Sequence, residues 1–428
     1  MKDYTKKRRY ILVTCCLANL CLGSVYAWSV FASPMAEYLS QINGINITTG
    51  DLAIVYTIAN SVGPITMISG GWFNDRFGPK IVLLVGGVMF GLGMFLSGFA
   101  TSIGYLIFTY GLLDGLGLGM AYGCNISSCV KFFPDKRGLI GGITTAVYGL
   151  SSVILPPIVT SVVQKSGVSF AFKIVGITFI IIMILCSLIV EKCPDNFIPG
   201  GWIPPTQKNS TVTVKNYDWK FMLKSPIFYS MLLLLMCGAF CGMMIISQAS
   251  AVASDMIGMG TTSASLAVSI LALFNASGRL LAGTLSDRIG RINTLVLSCI
   301  LSIVGLLFLT FSKTGTYITF YIGIAFVGIC FGAFMGVYPG FTADQFGQKN
   351  NSVNYGIMFI GFAMAGFFGP MIMKNVYASI GSYKNSFIIA ICLNIIGILL
   401  SLIYRSLSYK PKNTLLSFHL QNSNFKNM

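Results

Sequence analysis

Gly71-Trp-Phe-Asn-Asp75-Arg76-Phe-Gly78-Pro-Lys80 is followed, 212 residues later, by Gly283-Thr-Leu-Ser-Asp287-Arg288-Ile-Gly290-Arg291. Each copy closes an apolar run of about twenty residues, the length that crosses a hydrocarbon core about 30 Å thick. The stretch Phe133-Pro134-Asp135-Lys136-Arg137 is echoed at nearly the same offset around Phe346-Gly347-Gln348-Lys349. A motif repeated at the same place in two halves of a chain marks an internal duplication.

Outward from these motifs, the 428 residues are 55% apolar and 9% charged, with a mean hydropathy of +0.78. Soluble domains carry about 25% charged residues, so a water-soluble fold is excluded. Breaks at charged or Gly/Pro/Asn-rich points leave twelve expected helices, at 11–36, 51–73, 80–100, 103–130, 138–163, 168–191, 226–253, 262–286, 292–312, 316–341, 352–375 and 383–405. Residues 192–225 are the one long polar interruption. The expected organisation is therefore a six-helix half over 1–191, a central loop over 192–225, a second half over 226–405 and a tail over 406–428.

The net charge is +16, carried in short loops between spans, so it speaks for topology rather than nucleic acid. With Lys6-Lys7-Arg8-Arg9 placed inside, twenty-two basic residues fall on the cytoplasmic side and five outside (Lys165, Lys173, Lys313, Lys374, Lys384), with Arg279 inside a span. That asymmetry puts both termini in the cytoplasm of a multi-pass plasma-membrane protein. Cleavage after a signal peptide near Ala27 is the weaker reading, because the apolar run continues past it. Most of the twelve cysteines lie inside apolar runs, with no metal spacing. The sole histidine, His419, lies in the tail. No intramembrane His, Glu pair or metal-spaced Cys set is present, so the expectation is a protein that is not an enzyme and needs no cofactor or metal.

Charged residues inside apolar spans are costly and mark function by default. Arg279 lies eight residues before Asp287, about 12 Å from the helix end at 1.5 Å per residue. Its guanidinium fork suits a carboxylate, and its repeat equivalent is Met67, so the fold does not demand the charge. Asp114, eleven residues into the fourth span, is a candidate for proton coupling or a structural acid packed among glycines; a direct pair with Arg279 is also open. Tyr26, Tyr122 and Tyr148 lie near the middle of the first, fourth and fifth spans, where interfacial tyrosines are not expected. Asp75, Arg76, Gly78 and Asp287, Arg288, Gly290 form the expected conformational latch, charge-assisted bonds holding one state while the glycines permit a tight turn.

The duplicated Gly-x3-Asp-Arg-x-Gly motif and the twelve spans resemble the major facilitators, whose fold is two six-helix halves. Val25-Tyr26-Ala27-Trp28-Ser29, Gly115-Leu-Gly-Leu-Gly-Met-Ala-Tyr122-Gly123, Phe132-Phe133-Pro134-Asp135-Lys136-Arg137-Gly138, Tyr148-Gly149-Leu150 and Asn354-Tyr355-Gly356 further resemble the oxalate/formate antiporter family, related to the monocarboxylate transporters, over residues 10–405. The resemblance implies a dicarboxylate held between an arginine of the eighth helix and a lysine of the eleventh inside an aromatic cage. Arg279 falls on the arginine position, Tyr26, Tyr122 and Tyr148 on cage positions, and Phe331 and Phe359 on tryptophan positions. Phe362 falls on the lysine position, and Asn275 stands where the monocarboxylate carriers have an aspartate tied to proton coupling.

The expected activity is thus secondary transport of a small monocarboxylate, of formate, lactate or pyruvate type, by exchange and alternating access. The partners are that anion and the bilayer, with protons as a further candidate, no nucleic acid, and a monomer as the working unit. The alternatives are a proton symporter using Asp114, an oxalate/formate antiporter, and, in another class, a transporter-like nutrient sensor, for which the ends of the chain leave little room.

Overall fold

A computed structural model describes residues 4–195, 197–202 and 216–408. His419, the tail from residue 409 and residues 203–215 of the central loop lie outside the described residues. Among the described residues the secondary structure is helical throughout. The long helices are α1 (Tyr4–Asn43), α2 (Ala53–Phe77), α3 (Pro79–Ser97), α4 (Ile103–Phe132), α5 and α6 (137–166 and 168–189), α7 (Pro226–Met256), α8 (Thr261–Ile289), α9 (Arg291–Phe311), α10 (Tyr317–Phe346), α11 (Asn351–Ile380) and α12 (Lys384–Ser408). Helical hydrogen bonding runs through the α5–α6 pair as 53 residues, but Gly167 breaks it with φ 81° and ψ 163°. At 1.5 Å per residue, 53 residues would reach about 80 Å, more than twice the hydrocarbon thickness. The pair is two spans, and the total is twelve.

The helix ends differ from the sequence expectation at the duplicated motif. Gly71–Phe77 and Gly283–Ile289 are not loop but the last turns of α2 and α8. Gly78 (φ 91°) and Gly290 (φ 90°) then turn the chain sharply into α3 and α9, a conformation that costs a residue with a Cβ dearly.

Helices in lipid associate by close packing rather than by hydrophobic gain, so small residues sit where backbones approach. A Cβ on Gly119 of α4 would collide with the carbonyl of Gly63 on α2, and one on Gly117 with the α3 backbone at Phe90. Buried amides add directional bonds. Asn125 of α4 donates to Cys15 O (2.7 Å) and Asn19 Oδ1 (2.9 Å) of α1, and Asn19 donates to Thr144 O of α5 (2.9 Å). Helices α1–α6 meet α7–α12 along two seams, α5 on α8 and α2 on α11, where Gly283 and Gly142, and Gly71 and Gly356, abut the opposite backbone.

Besides the break at Gly167 and the π-helical end of α7 over Val252–Met256, three spans depart from α-helix. α1 tightens to a 3₁₀ segment over Gly23–Ala27, α4 widens to a π-helix over Ile107–Asp114, and α11 is interrupted at Phe359. Irregular backbone survives in a membrane only where protein or a watery cavity satisfies it. Tyr26 and Phe359 lie on two of these breaks, which fixes where the site is built.

Replacing Gly119 by Leu should lower the stability of the detergent-solubilised protein by about 1–3 kcal/mol, as overpacked cores do. Gly104→Ala, at a position with open space around it, should leave the melting temperature unchanged.

Candidate functional site

Arg279 is 1% exposed and is among the largest fully buried side chains. It fits because its neighbours are small: Gly332 and Gly336 of α10 and Gly142 of α5 press on its backbone, and Gly149 of α5 leaves room beside its guanidinium. Nε donates to Asn275 Oδ1, one turn earlier on α8, at 3.0 Å, and Nη1 donates to the carbonyl of Thr145 on α5 at 2.6 Å. Both acceptors are neutral. Among the described residues no carboxylate pairs with this cation. Two of its five N–H donors are thereby engaged, and the plane of the fork is fixed while its charge stays uncompensated.

Beside it runs a continuous aromatic wall. The Tyr148 ring lies 5.3 Å from Tyr26 and 4.7 Å from Tyr122, Tyr122 lies 5.8 Å from Phe359, Phe359 stacks on Phe362 at 4.5 Å, and Phe362 lies 6.3 Å from Phe331. All six residues named from the sequence for substrate binding therefore belong to one assembly, drawn from α1, α4, α5, α8, α10 and α11. Beyond Phe362, three further members were not named there for substrate binding, although Asn275 and Tyr355 were quoted. Asn275 and the Thr145 carbonyl orient the guanidinium, and the Tyr355 ring, buried under the wall, lies 5.8 Å from Phe359. Asn275 carried a signal, one helical turn before the arginine; a backbone carbonyl carries none.

Asp114 is not part of this assembly. It is wholly buried, neither oxygen accepts a hydrogen bond, and the pair with Arg279 is not formed.

The duplicated motif acts across the two seams. Asp75 Oδ1 accepts from Lys131 Nζ (2.5 Å) and from the Ser352 amide (3.3 Å), while Oδ2 accepts from the Val353 amide (3.1 Å). Those amides open α11. Asp287 Oδ1 accepts from the Gly138 amide (2.9 Å) and Arg291 Nη1 (2.6 Å), and Oδ2 accepts from the Leu139 amide (2.8 Å). Those amides open α5. Each aspartate thus caps a helix N-terminus in the other group of six, where orphan N–H groups and the helix dipole favour an anion. The motif glycine four residues earlier, Gly71 or Gly283, lies on the same helix face and lets the backbones come close enough. Asn74 and Ser127 add bonds to Ser352 at 2.8 Å each. Arg137 and Arg291 share Asp344.

Two residues of the expected latch play no such part. Arg76 lies over the Trp72 ring at 4.2 Å, and Arg288 is exposed. The cations that meet the aspartates are Lys131 and Arg291. The contacts close the bundle at the end that bears Tyr4 and Ser408.

Hydrogen bonds to a charged group contribute about 1.5–3 kcal/mol, so losing one cap should shift the balance of two states by one to two powers of ten. Asp287→Ala and Asp75→Ala should each lengthen the distance between spin labels at positions 136 and 349, read by pulsed electron resonance. Arg76→Ala should not.

The comparisons agree with this architecture. The family model described as Major Facilitator Superfamily matches residues 17–315 and 249–427. An uncharacterised MFS-type transporter of Escherichia coli is 28% identical over 363 residues, covering 85% of this chain and 86% of its own. The oxalate:formate antiporter of Oxalobacter formigenes is 29% identical over 381 residues, covering 89% and 87%. Monocarboxylate transporter 12 of Xenopus laevis is 24% identical over 405 residues, covering 89% and 85%. Among solved structures, a facilitator in the outward conformation superposes with a TM-score of 0.67 at 14% identity, over 92% of this chain and 99% of that one. A proton:xylose symporter gives 0.68 at 16%, over 92% and 95%. With twelve helices, two capped seams and these matches, the chain belongs to the Major Facilitator Superfamily, and it is a multi-pass membrane transporter rather than an enzyme.

Proposed function

We propose that this transporter carries a small monocarboxylate, of formate, lactate or pyruvate type, by exchange through alternating access. The observation that carries the reading is Arg279, a buried guanidinium held by two neutral acceptors beside an aromatic wall. A fixed cation in a low-dielectric interior calls for an anionic partner. A carboxylate offers the planar pair of oxygens that the free edge of the fork matches. Tyr26, Tyr122 and Tyr148 supply hydroxyl donors, and Phe331, Phe359 and Phe362 an apolar boundary.

The relatives named for oxalate with formate and for monocarboxylates support the class of cargo. Phe362 favours the monoanion. Where the antiporter resemblance leads one to expect a lysine, this chain has a ring stacked on Phe359, so a dianion would keep one charge uncompensated. Without cargo the guanidinium lacks a counter-charge, which disfavours turnover of the unloaded carrier and favours exchange.

In this reading residues 1–191 and 226–405 are the bodies that rock about the Arg279 site, one chain being the working unit. The basic-residue asymmetry puts both termini in the cytoplasm of a plasma membrane. The Asp75 and Asp287 caps then close the cytoplasmic side and leave the site open outward.

Counterflow in proteoliposomes tests the proposal, with labelled formate, lactate, pyruvate or oxalate against each unlabelled acid. Truncating one member of a buried charge pair costs about 2–5 kcal/mol, so Arg279→Ala should cut monocarboxylate exchange by about a hundredfold or more. Arg279→Lys, keeping charge but losing the fork, should fall between. Oxalate exchange outpacing the monoacids would contradict the monoanion assignment, and unchanged flux in Arg279→Ala would make the arginine structural.

A further inference from the structure

Arg76, Lys80 and Lys192 are exposed cations that neither the Arg279 site nor the two caps use. They meet at the turn from α2 into α3, at the end of the bundle that bears Tyr4 and Ser408. Lys192 follows the end of α6. Its aliphatic stem crosses Gly78, close enough that a Cβ there would strike it, and its Nζ donates to the carbonyl of Arg76 at 2.7 Å. Among the described residues no carboxylate pairs with any of the three. The nearest acids along the chain are engaged elsewhere, Asp75 by Lys131 and the opening amides of α11, and Glu191 by Lys7 at 2.7 Å. Even with the exposed Asp195 counted, cations outnumber acids here by three to one.

The positive turn borders an apolar, aromatic surface. Arg76 does not reach past the helix end into water. It folds back one turn and lies over the Trp72 ring at 4.2 Å, the direction in which helical side chains lean. Trp72, Phe73, Phe77 and Ile81 are all exposed around this turn. α2 has 25 residues, about 37 Å of helix at 1.5 Å per residue, against a hydrocarbon core of about 30 Å. Its last turns therefore stand at the level of the lipid headgroups, where an amphipathic Trp is at home.

The duplicated half shows that the latch does not require this arrangement. At the 212-residue offset, Trp72, Phe73, Phe77 and Lys80 become Thr284, Leu285, Ile289 and Ile292. The second half keeps the aspartate cap and the glycine turn with Arg288 as its exposed cation and no ring beside it.

We propose that the α2–α3 turn is a binding site for one phospholipid of net negative headgroup. The phosphate lies among Arg76, Lys80 and Lys192, and the acyl chains lie along Trp72, Phe73 and Phe77. The guanidinium fork matches two phosphate oxygens, and each ammonium adds a point charge. Basic clusters beside membrane helices hold anionic headgroups in this way. A zwitterionic lipid fits less well, because its own cation enters a place already positive. A soluble phosphate lacks the chains that the aromatic surface accommodates. The site is separate from Arg279 and holds whatever the cargo is.

Native mass spectrometry of the full chain in a neutral detergent tests the proposal, with dioleoylphosphatidylglycerol and dioleoylphosphatidylcholine as probes. A basic residue near an anionic headgroup is worth about fivefold in affinity, so three give about a hundredfold. The wild type should retain one phosphatidylglycerol with a preference of that order over phosphatidylcholine. Joint Arg76→Gln, Lys80→Gln and Lys192→Gln replacement should abolish the preference, and Lys80→Gln alone should weaken it about fivefold. Arg288→Gln should leave it intact. Joint Arg76→Lys, Lys80→Arg and Lys192→Arg replacement should keep most of it, which separates lost charge from a damaged fold. Equal retention of the two lipids by the wild type overturns the proposal. So does a preference that survives the triple glutamine replacement, or one that Arg288→Gln removes equally. Displacement of the lipid by glycerophosphoglycerol at matching concentration overturns the lipid assignment in favour of a soluble phosphate. If the triple glutamine protein is not monodisperse, an unchanged preference in Lys80→Gln decides against the proposal by itself.

Discussion

The site depends on one unbalanced charge. A guanidinium does not escape burial by giving up its proton, so the fold must surround Arg279 with something that tolerates it. It does so with an amide oxygen and a peptide carbonyl, which satisfy donors without cancelling charge. The charge of the interior is thus left uncompensated, and in the function proposed above an anion of the right shape compensates it. The wall of three tyrosines and three phenylalanines lies beside the guanidinium. The glycines of α5 and α10 exist here for space, since a larger residue at 142, 332 or 336 would strike the Arg279 backbone.

A second pair of charges is treated the opposite way. Asp75 and Asp287 are fully engaged, each by two helix-opening amides and one cation. Their amide bonds join α1–α6 to α7–α12, while Lys131 and Arg291 meet them from within the same six helices. The two caps are not alike. The first lies in a buried cluster with Asn74, Ser127 and Ser352. The second shares Arg291 with Asp344, which also takes Arg137 from the other half. Where the first half offers Lys131, the second has Asp344 at the matching position, and Arg291 bridges the resulting pair of carboxylates.

Much of this was legible in the sequence because membranes simplify the grammar. Span length, the duplicated Gly-x3-Asp-Arg-x-Gly motif and the isolated charge of Arg279 each answer to a single strong constraint, and twelve helices and one site follow. Helix ends were less legible: the motif reads as loop by its charges, yet its glycine and aspartate must share a helical face to pack and cap, so α2 and α8 run on to Gly78 and Gly290. Partner identity was least legible. Arg76 and Arg288 stand next to the aspartates in sequence, but a neighbour on a helix points elsewhere, and the engaging cations, Lys131 and Arg291, come from a different helix and a different turn. Contacts to backbone, such as Thr145 O on Arg279, leave no trace in residue type at all.

If Arg279 recognises the charge of a carboxylate, ligand-induced stabilisation of the purified protein will report it. Lactate should raise the melting temperature of the wild type, while lactamide, its neutral isostere, should not, and Arg279→Ala should respond to neither. Equal stabilisation by acid and amide, or a lactate shift that persists in Arg279→Ala, would contradict the claim.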